Sequence, residues 1–343
     1  MMFAPLLEKL QRHVPLTTDE AAAAMAAIMR GEATAAQVAG FLMALRSKGE
    51  RPEELVGLAR AMRAAAVPLP QAFADVFDTC GTGGDNAGTV NVSSMAAVVL
   101  AASGVRVAKH GNRSVSSRSG SADVFEALGV NVAATPAVVA RCLDEVGIAF
   151  LFAPTFHPSM KHAAPVRREL GVRTAFNLLG PLTNPAGTTR QLVGVPRPEL
   201  TELVARALGL LGSTHVWVVH AADGLDELST TGYTKVSECR GGLLRTFFVH
   251  PGAFGLAKAT LADLKGGDAA YNADVARRVL AGEPGPVRDI VLLNAGAGLF
   301  IAGRVPAVAE GVAAAAAAID DGRAAATLRR LVEVSQASVE ATA

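Results

Sequence analysis

Along the first part of the chain apolar residues recur at helical spacing, and from Val76 onward they collect instead into short runs. Thr17 with Glu20 reads as a capping box ahead of Met25, Ile28 and Met29, and Gly31 is placed to end that helix. Thr34 caps the next, which carries Val38, Phe41, Leu42 and Leu45 on one face. Pro52 suits the first turn of a third, which aligns Leu55, Leu58 and Met62. Such faces predict helices that pack on one another or on a second subunit.

Beyond this layer, β-type runs alternate with helical stretches, the sequence form of βαβ units around a parallel sheet. Residues 76–77, 105–107, 130–132, 149–153, 192–195 and 215–221 read as strands. Residues 93–103, 123–128 and 136–146 read as helices, ended by Gly104, Gly129 and Gly147, and a further helix runs to Leu211. Residues 159–179 break the alternation with helical, basic sequence, followed by the rigid turn Gly180-Pro181-Leu182-Thr183-Asn184-Pro185. Residues 229–250 have hairpin texture, and 272–302 and 305–335 are Ala-rich and helical. The expected class is α/β with a mostly parallel central sheet.

Two Gly/Ser-rich segments follow the first two β runs: Cys80-Gly81-Thr82-Gly83-Gly84-Asp85 and Lys109-His110-Gly111-Asn112-Arg113-Ser114-Val115-Ser116-Ser117. In a parallel sheet both open at the edge where ligands bind, which points to a polyphosphate. The first lacks the Lys-Ser/Thr of a P-loop and the third Gly of a dinucleotide fingerprint. It is either an ordinary glycine turn or an amide cradle for phosphate. Asn91, Ser93 and Ser94 at the following helix start favour the cradle. Asp85 would repel a bare anion and makes sense beside a bridging cation or sugar hydroxyls. The second segment, continued by Arg118, Ser119 and Ser121, is either a solvated loop or a cationic phosphate site, and its density of donors favours the site.

Asp223, Asp226 and Glu227 lie just past the strand at 215–221. They suit Mg²⁺, which takes one or two carboxylates plus substrate phosphates; acidic helix capping is the plainer alternative. Asp320 and Asp321, with no strand nearby, read as solvated charge. His157, Lys161, His162, Arg167 and Arg168 form either a solvated basic face or a lid that binds a carboxylate through one Arg. No Gly-x-Ser-x-Gly elbow supports Ser-His-Asp chemistry.

The 343 residues are enough for two domains. A net charge of +1 gives no general field for nucleic acid, so any basic site is local. The three cysteines are few and far apart, as in a reducing cytoplasm, and neither a membrane span nor an export signal is read.

Taken in order, Gly-Thr-Gly-Gly-Asp at 81–85, Asn-Val-Ser-Ser at 91–94, Lys-His-Gly-Asn-Arg at 109–113, Gly-Ser-Ala-Asp at 120–123, Arg167, Phe-Asn-Leu-Leu-Gly-Pro-Leu-Thr-Asn-Pro at 176–185 and Asp-Gly-Leu-Asp-Glu-Leu at 223–228 resemble the anthranilate phosphoribosyltransferases over essentially the whole chain. The resemblance implies a class III phosphoribosyltransferase fold, like that of the nucleoside phosphorylases. It divides the chain into a small helical domain, 1–68 with about 160–188, and a large α/β domain, about 69–159 with 189–343. It implies a cytoplasmic, Mg²⁺-dependent homodimer that moves phosphoribose from phosphoribosyl pyrophosphate to the amine of anthranilate. The donor would be held by Gly81, Gly84, Asp85, Thr89, Asn91, Val92, Ser93, Ser94, Lys109, His110, Gly111, Asn112, Arg113, Ser114, Val115, Ser116, Ser117 and Ser121. Anthranilate would meet Gly81, His110, Asn112, Arg167 and Pro181, and Mg²⁺ would meet Ser93, Asp226 and Glu227. Lys109, His110 and Arg113 are electrostatic candidates, with no general base assigned. Tyr233 stands where relatives usually have Pro, which bears on the shape of that turn. A pyrimidine nucleoside phosphorylase would not need the Asp226-Glu227 pair, and a nucleic-acid-binding relative would show a broad basic surface.

Overall fold

The structure, a computed structural model, describes residues 2–85, 87–114 and 118–337. The N-terminal amphipathic runs form α1 (Phe3–Gln11), α2 (Thr18–Met29), α3 (Ala35–Lys48) and α4 (Pro52–Ala64). Thr17 and Glu20 exchange side-chain and backbone bonds at the start of α2, and Thr34 and Gln37 do the same at α3. Each box satisfies N–H groups that a helix start leaves open. α2 lies close on α4 because of Gly57, where a Cβ would stand 2.1 Å from the Thr18 carbonyl oxygen. Glu54 knots this layer from within. It is fully buried, accepts from the Leu16 and Arg51 N–H groups at 2.8 Å each, and pairs with Lys48 Nζ at 2.8 Å.

Next come β1 (Phe77–Gly81), α5 (Val92–Ala102), β2 (Val107–Gly111), α6 (Ser121–Ala127), α7 (Pro136–Glu145) and β3 (Ile148–Phe152). The short helices α8 (Ala153–Phe156), α9 (Ala164–Leu170) and α10 (Phe176–Leu179) then lead to β4 (Arg190–Gly194), which returns to the other side of β1. α11 (Leu200–Leu210), β5 (His215–Ala221) and the hairpin β6 (Thr234–Arg240) and β7 (Leu243–Val249) follow. The chain closes with α12 (Ala269–Leu280), α13 (Pro286–Ile301), α14 (Val308–Asp320) and α15 (Arg323–Gln336). Among the described residues the strands form one sheet in the order β3-β2-β1-β4-β5-β6-β7. The first five are parallel and the hairpin is antiparallel. After β1 the chain turns toward β2, and after β4 it turns toward β5. Their carboxyl ends therefore diverge and open a crevice at a topological switch point.

Strand alternation divides the buried side chains between two cores. Val193, Val216 and Val218 join the N-terminal helices, α11, Ala163, Val166 and the 175–182 segment in one. Leu192, Trp217 and Val219 join α5, α7 and α13 in the other. The helical interruption therefore packs with the N-terminal layer and not with the helices that precede it in sequence.

Residues 130–132 do not form the expected strand. The Val130 N–H bonds the Phe125 carbonyl, and the Gly129 N–H bonds the Glu126 carbonyl, as the chain leaves α6. That six-to-one bond uses the donor a ladder would need. Val130 and Val132 are buried all the same, which is why their apolar signal resembles a strand. The two long Ala-rich stretches are each two helices. The first breaks at Gly282 and Gly285, with φ of +106° and +132°, and the second at Gly322, with φ of +83°. Glu54→Gln would leave Lys48 buried without its counter-charge. A loss of about 3 kcal/mol is expected, read as a lower urea midpoint at constant slope, and an unchanged midpoint would contradict the role given to this pair.

Candidate active site

The walls of the crevice begin with glycine. Gly81 and Gly194 are the last residues of β1 and β4 and face each other across the ladder. A Cβ on Gly194 would stand 1.5 Å from the Asp226 carbonyl oxygen, and one on Gly81 would stand 2.2 Å from Asp226 Oδ2. Only side-chain-free strand ends let the turn after β5 lie across the opening. That turn is held from below by Leu225 and Leu228, both fully buried, and by Asn294 of α13. Asn294 accepts from the Leu228 N–H at 3.1 Å and donates to its carbonyl at 2.8 Å. Asp223 serves the turn itself, since it accepts from Ser229 Oγ at 2.7 Å, from Thr231 Oγ1 and from the Leu225 N–H at 3.1 Å. The three acids of the sequence therefore divide into one structural carboxylate and two that face the crevice.

Asp226 Oδ2 accepts from the Gly83 N–H at 3.0 Å, and Glu227 Oε1 accepts from the Ser93 N–H at 3.2 Å at the start of α5. Recessed among protein groups, both carboxyls are pushed above their usual range. Desolvation is the first cause for each; the second is Asp85 for Asp226 and Asp226 for Glu227. The wall thus carries acidic groups short of a counter-charge. Ser93 Oγ sits beside it and accepts from Lys109 Nζ at 3.2 Å. Two carboxylates and a hydroxyl are hard oxygen donors, a set that fits Mg²⁺ completed by substrate oxygens. Among the described residues no group of three or more His, Cys, Asp or Glu side chains could hold a metal ion alone.

Lys109 and His110 belong to β2 itself, so the cationic segment expected as a loop begins inside the sheet. Lys109 is buried and donates to the Thr79 carbonyl at 2.6 Å, and its charge acts on both Asp78 and Glu227. Asp78 is fully buried, and that desolvation raises its carboxyl despite Lys109. It accepts from Asn184 Nδ2 at 2.8 Å and from the His110 N–H at 3.3 Å. Asn184 Nδ2 also donates to the Ala108 carbonyl at 2.8 Å, so the rigid Gly-Pro turn is stapled to β1 and β2. Nothing in the sequence pattern gave Asn184 that task.

His110 donates from Nδ1 to the Gly180 carbonyl at 3.0 Å, and its ring lies 5.2 Å from that of His157. Desolvation pushes His110 down to about 3 and His157 to about 4, so both imidazoles are neutral at pH 7. Nε2 of each is buried without a hydrogen-bond partner among the described residues. Pro181 lies buried beside them, its carbonyl held by Gln191 Nε2 at 2.8 Å. Arg167 of α9 lies with its guanidinium 5.1 Å from the Phe176 ring centre and has no carboxylate partner among the described residues. Burial lowers its proton affinity, which leaves it a stacked, half-buried cation.

Other assigned residues, among those described, follow β1 and β2. Asn91 donates to the Ser119 carbonyl at 3.3 Å and accepts from Asn272 of α12 at 2.9 Å. Val92 and Ser94 are buried in the first turn of α5, Thr89 lies just before it, and Asp85 accepts from the Ala87 N–H at 3.5 Å. Gly111 passes close to Ser121, whose Oγ donates to the Asn112 carbonyl at 3.5 Å. Arg113 turns away from the acidic wall. Its guanidinium bonds Glu126 at 2.7 and 3.0 Å and Asp123 at 3.0 Å on α6, so its charge is already matched. The Ser114 N–H donates to Asp123 at 3.1 Å. Val115, Ser116 and Ser117 lie outside the described residues. Tyr233 is exposed, its ring 4.9 Å from that of His250, and its carbonyl accepts from the Ala222 N–H at 2.9 Å; the turn keeps its backbone tie without Pro. Arg173 was not anticipated from the sequence, yet it donates to the Thr82 carbonyl at 3.2 Å inside the glycine loop.

Comparison with known proteins matches residues 74–325 to a family described as "Glycosyl transferase family, a/b domain" and residues 4–66 to "Glycosyl transferase family, helical bundle domain". The anthranilate phosphoribosyltransferase of Moorella thermoacetica is 57% identical over 92% of this chain and 94% of its own length. That of Caulobacter vibrioides is 52% identical over 99% of each. The crystal structure of anthranilate phosphoribosyltransferase from Thermus thermophilus superposes with a TM-score of 0.91 at 47% identity, covering 96% of this chain and 99% of that one. The Saccharomyces cerevisiae enzyme in complex with PRPP and Mg superposes with a TM-score of 0.87 at 26% identity, covering 97% and 99%.

Gly194→Ala tests how the acidic turn is seated. The added methyl would push the Asp226 backbone off the strand end and is expected to weaken Mn²⁺ binding about tenfold or more, as loss of a supporting contact does at metal sites. Unchanged Mn²⁺ affinity in a folded variant would contradict this seating.

Proposed function

We infer the function from kinship and geometry together: the chain belongs to the anthranilate phosphoribosyltransferase family, and it transfers phosphoribose from phosphoribosyl pyrophosphate to the amine of anthranilate in tryptophan biosynthesis. The observation that carries this reading is a crevice with an acidic wall, Asp226 and Glu227, facing buried Lys109, and with Arg167, which has no carboxylate partner among the described residues, on the helical layer that borders it. In the assignment proposed here, the donor is held by Gly81, Gly84, Asp85, Thr89, residues 91–94, residues 109–117 and Ser121. Asp226, Glu227 and Ser93 would hold Mg²⁺, which when bound would supply positive charge for the pyrophosphate. Arg167 takes the anthranilate carboxylate, and Asn112, His110, Gly81 and Pro181 line its position. A homodimer in the cytoplasm completes the proposal. No helix among the described residues is long and apolar enough to cross a membrane.

The chemistry follows from where charge develops. The bond from ribose C1 to the pyrophosphate oxygen breaks, its electron pair leaves with pyrophosphate, and positive charge grows on the ribose ring. Lys109 and the N-terminal amides of α5 are the protein's own stabilisers of the departing anion. The aryl amine is neutral at pH 7 and forms the new C–N bond from the opposite face, so no strong base precedes attack; the anilinium formed then gives up one proton to water or to the departing pyrophosphate. Neutral His110 offers an acceptor lone pair at Nε2 and adds no charge that would repel the developing cation. Stacking of Arg167 on Phe176 fixes its planar fork for a carboxylate.

Mixing the protein with anthranilate, phosphoribosyl pyrophosphate and Mg²⁺ is expected to extinguish anthranilate fluorescence, with pyrophosphate released in equal amount and no loss without metal. Persistent fluorescence with folded protein would overturn the assignment and direct attention to nucleoside phosphorolysis. A charge-assisted bond to a carboxylate is worth about 1.5–3 kcal/mol, so Arg167→Ala should raise KM for anthranilate by roughly 10- to 100-fold. An unchanged KM would remove Arg167 from the acceptor site.

A further inference from the structure

Arg173 lies between α9 and α10, just past Gly171, whose φ of +62° ends α9. Its backbone belongs to the helical layer. The next residues, Ala175 and Phe176, are buried in the core shared with the N-terminal helices, and Arg46 of α3 donates to the Arg173 carbonyl. Its side chain crosses to the sheet edge, where Nη2 reaches the Thr82 carbonyl at 3.2 Å. Nη1 fills the space beside Gly84, where a Cβ would stand 1.7 Å from it. Gly84, with φ of +88°, therefore both makes the turn and leaves room for a guanidinium. Burial and the nearby Arg197 and Arg46 work against this cation while Asp226 and Asp85 favour it, and no carboxylate among the described residues forms an ion pair with it. It is close enough to offset the acidic wall and free of any direct bond to it.

We propose that Arg173 is a positioning residue that stands in for the divalent cation: it holds the Gly81–Asp85 loop against the helical layer and offsets Asp85 and Asp226 until the metal takes over that charge. The inference rests on the reading of Asp226 and Glu227 as metal ligands. It implies that the guanidinium opposes metal binding in the substrate-free protein and so favours arrival of the metal together with the pyrophosphate, whose charge offsets that opposition. Arg46 and the Arg173 carbonyl would then tie the state of the metal site to the position of α3.

The test is Mn²⁺ binding without phosphoribosyl pyrophosphate, read from the free-ion electron paramagnetic resonance signal. Removing one nearby positive charge predicts that Arg173→Gln binds Mn²⁺ about three- to tenfold tighter, while Arg173→Lys stays within about twofold of wild type. A Gln variant that folds cooperatively and binds Mn²⁺ equally or more weakly overturns the proposal, because a merely structural role would not tighten metal binding. Asp226→Asn is the companion measurement: unaltered Mn²⁺ binding there would sink the metal site itself, a failure distinct from that of Arg173. Should Arg173→Gln not fold, wild-type crystals with and without Mn²⁺ decide. The guanidinium is expected to leave the Thr82 carbonyl when the ion is bound, and its staying there in both would overturn the stand-in role.

Discussion

Asp226 and Glu227 lie next to each other at the mouth of a switch-point crevice, and their charge has to be matched there. The sheet order puts β1 and β4 side by side with diverging exits, and glycine at both strand ends lets the acidic turn cross the gap. Within reach of the pair are buried Lys109, the amide end of α5 and, from across the crevice, Arg173. A site so short of positive charge is suited to a ligand that brings its own cation. A metal-bound polyphosphate is such a ligand. The site proposed for the second substrate is a different environment, with neutral imidazoles, a buried Pro and a stacked Arg.

The two halves of the site come from the two cores. The proposed donor side is built from strand ends, which the ladder holds rigidly. The proposed acceptor side comes from the interruption between β3 and β4, which packs with the N-terminal helices. Among the described residues the polar ties that join them include Asn184 to Asp78 and Ala108, His110 to Gly180, Gln191 to Pro181, and Arg173 to Thr82. Through them a change at the sheet edge reaches the helical layer.

Much of this was legible in the residues. The alternation of β runs with helices predicted the parallel sheet, and the strand at 215–221 appears with those bounds. The capping box at Thr17 and the cap at Thr34 formed because they depend only on local spacing. Val130 and Val132 misled because burial and strand formation leave the same apolar mark, whereas the competing bond from Val130 belongs to the helix before it. The charged motifs pointed to a polyphosphate and a metal, yet the sequence could not tell matched charge from free charge. Arg113 appears as a site cation but is paired on α6, and Arg173 looks ordinary but crosses the crevice. The bonding roles of Asn184, Asn272 and Asn294 were not legible because the bonds that tie them to the site reach residues at least 66 positions away.

The proposed function depends on the acidic wall at the β1/β4 crevice being a metal-binding wall. Anomalous diffraction from crystals grown with Mn²⁺ and phosphoribosyl pyrophosphate tests it most directly. A peak is expected in the crevice, with carboxylate oxygens of Asp226 and Glu227 among ligands at roughly 2.1 Å. A peak at Asp223 or at the Asp320-Asp321 pair, with none in the crevice, would contradict it.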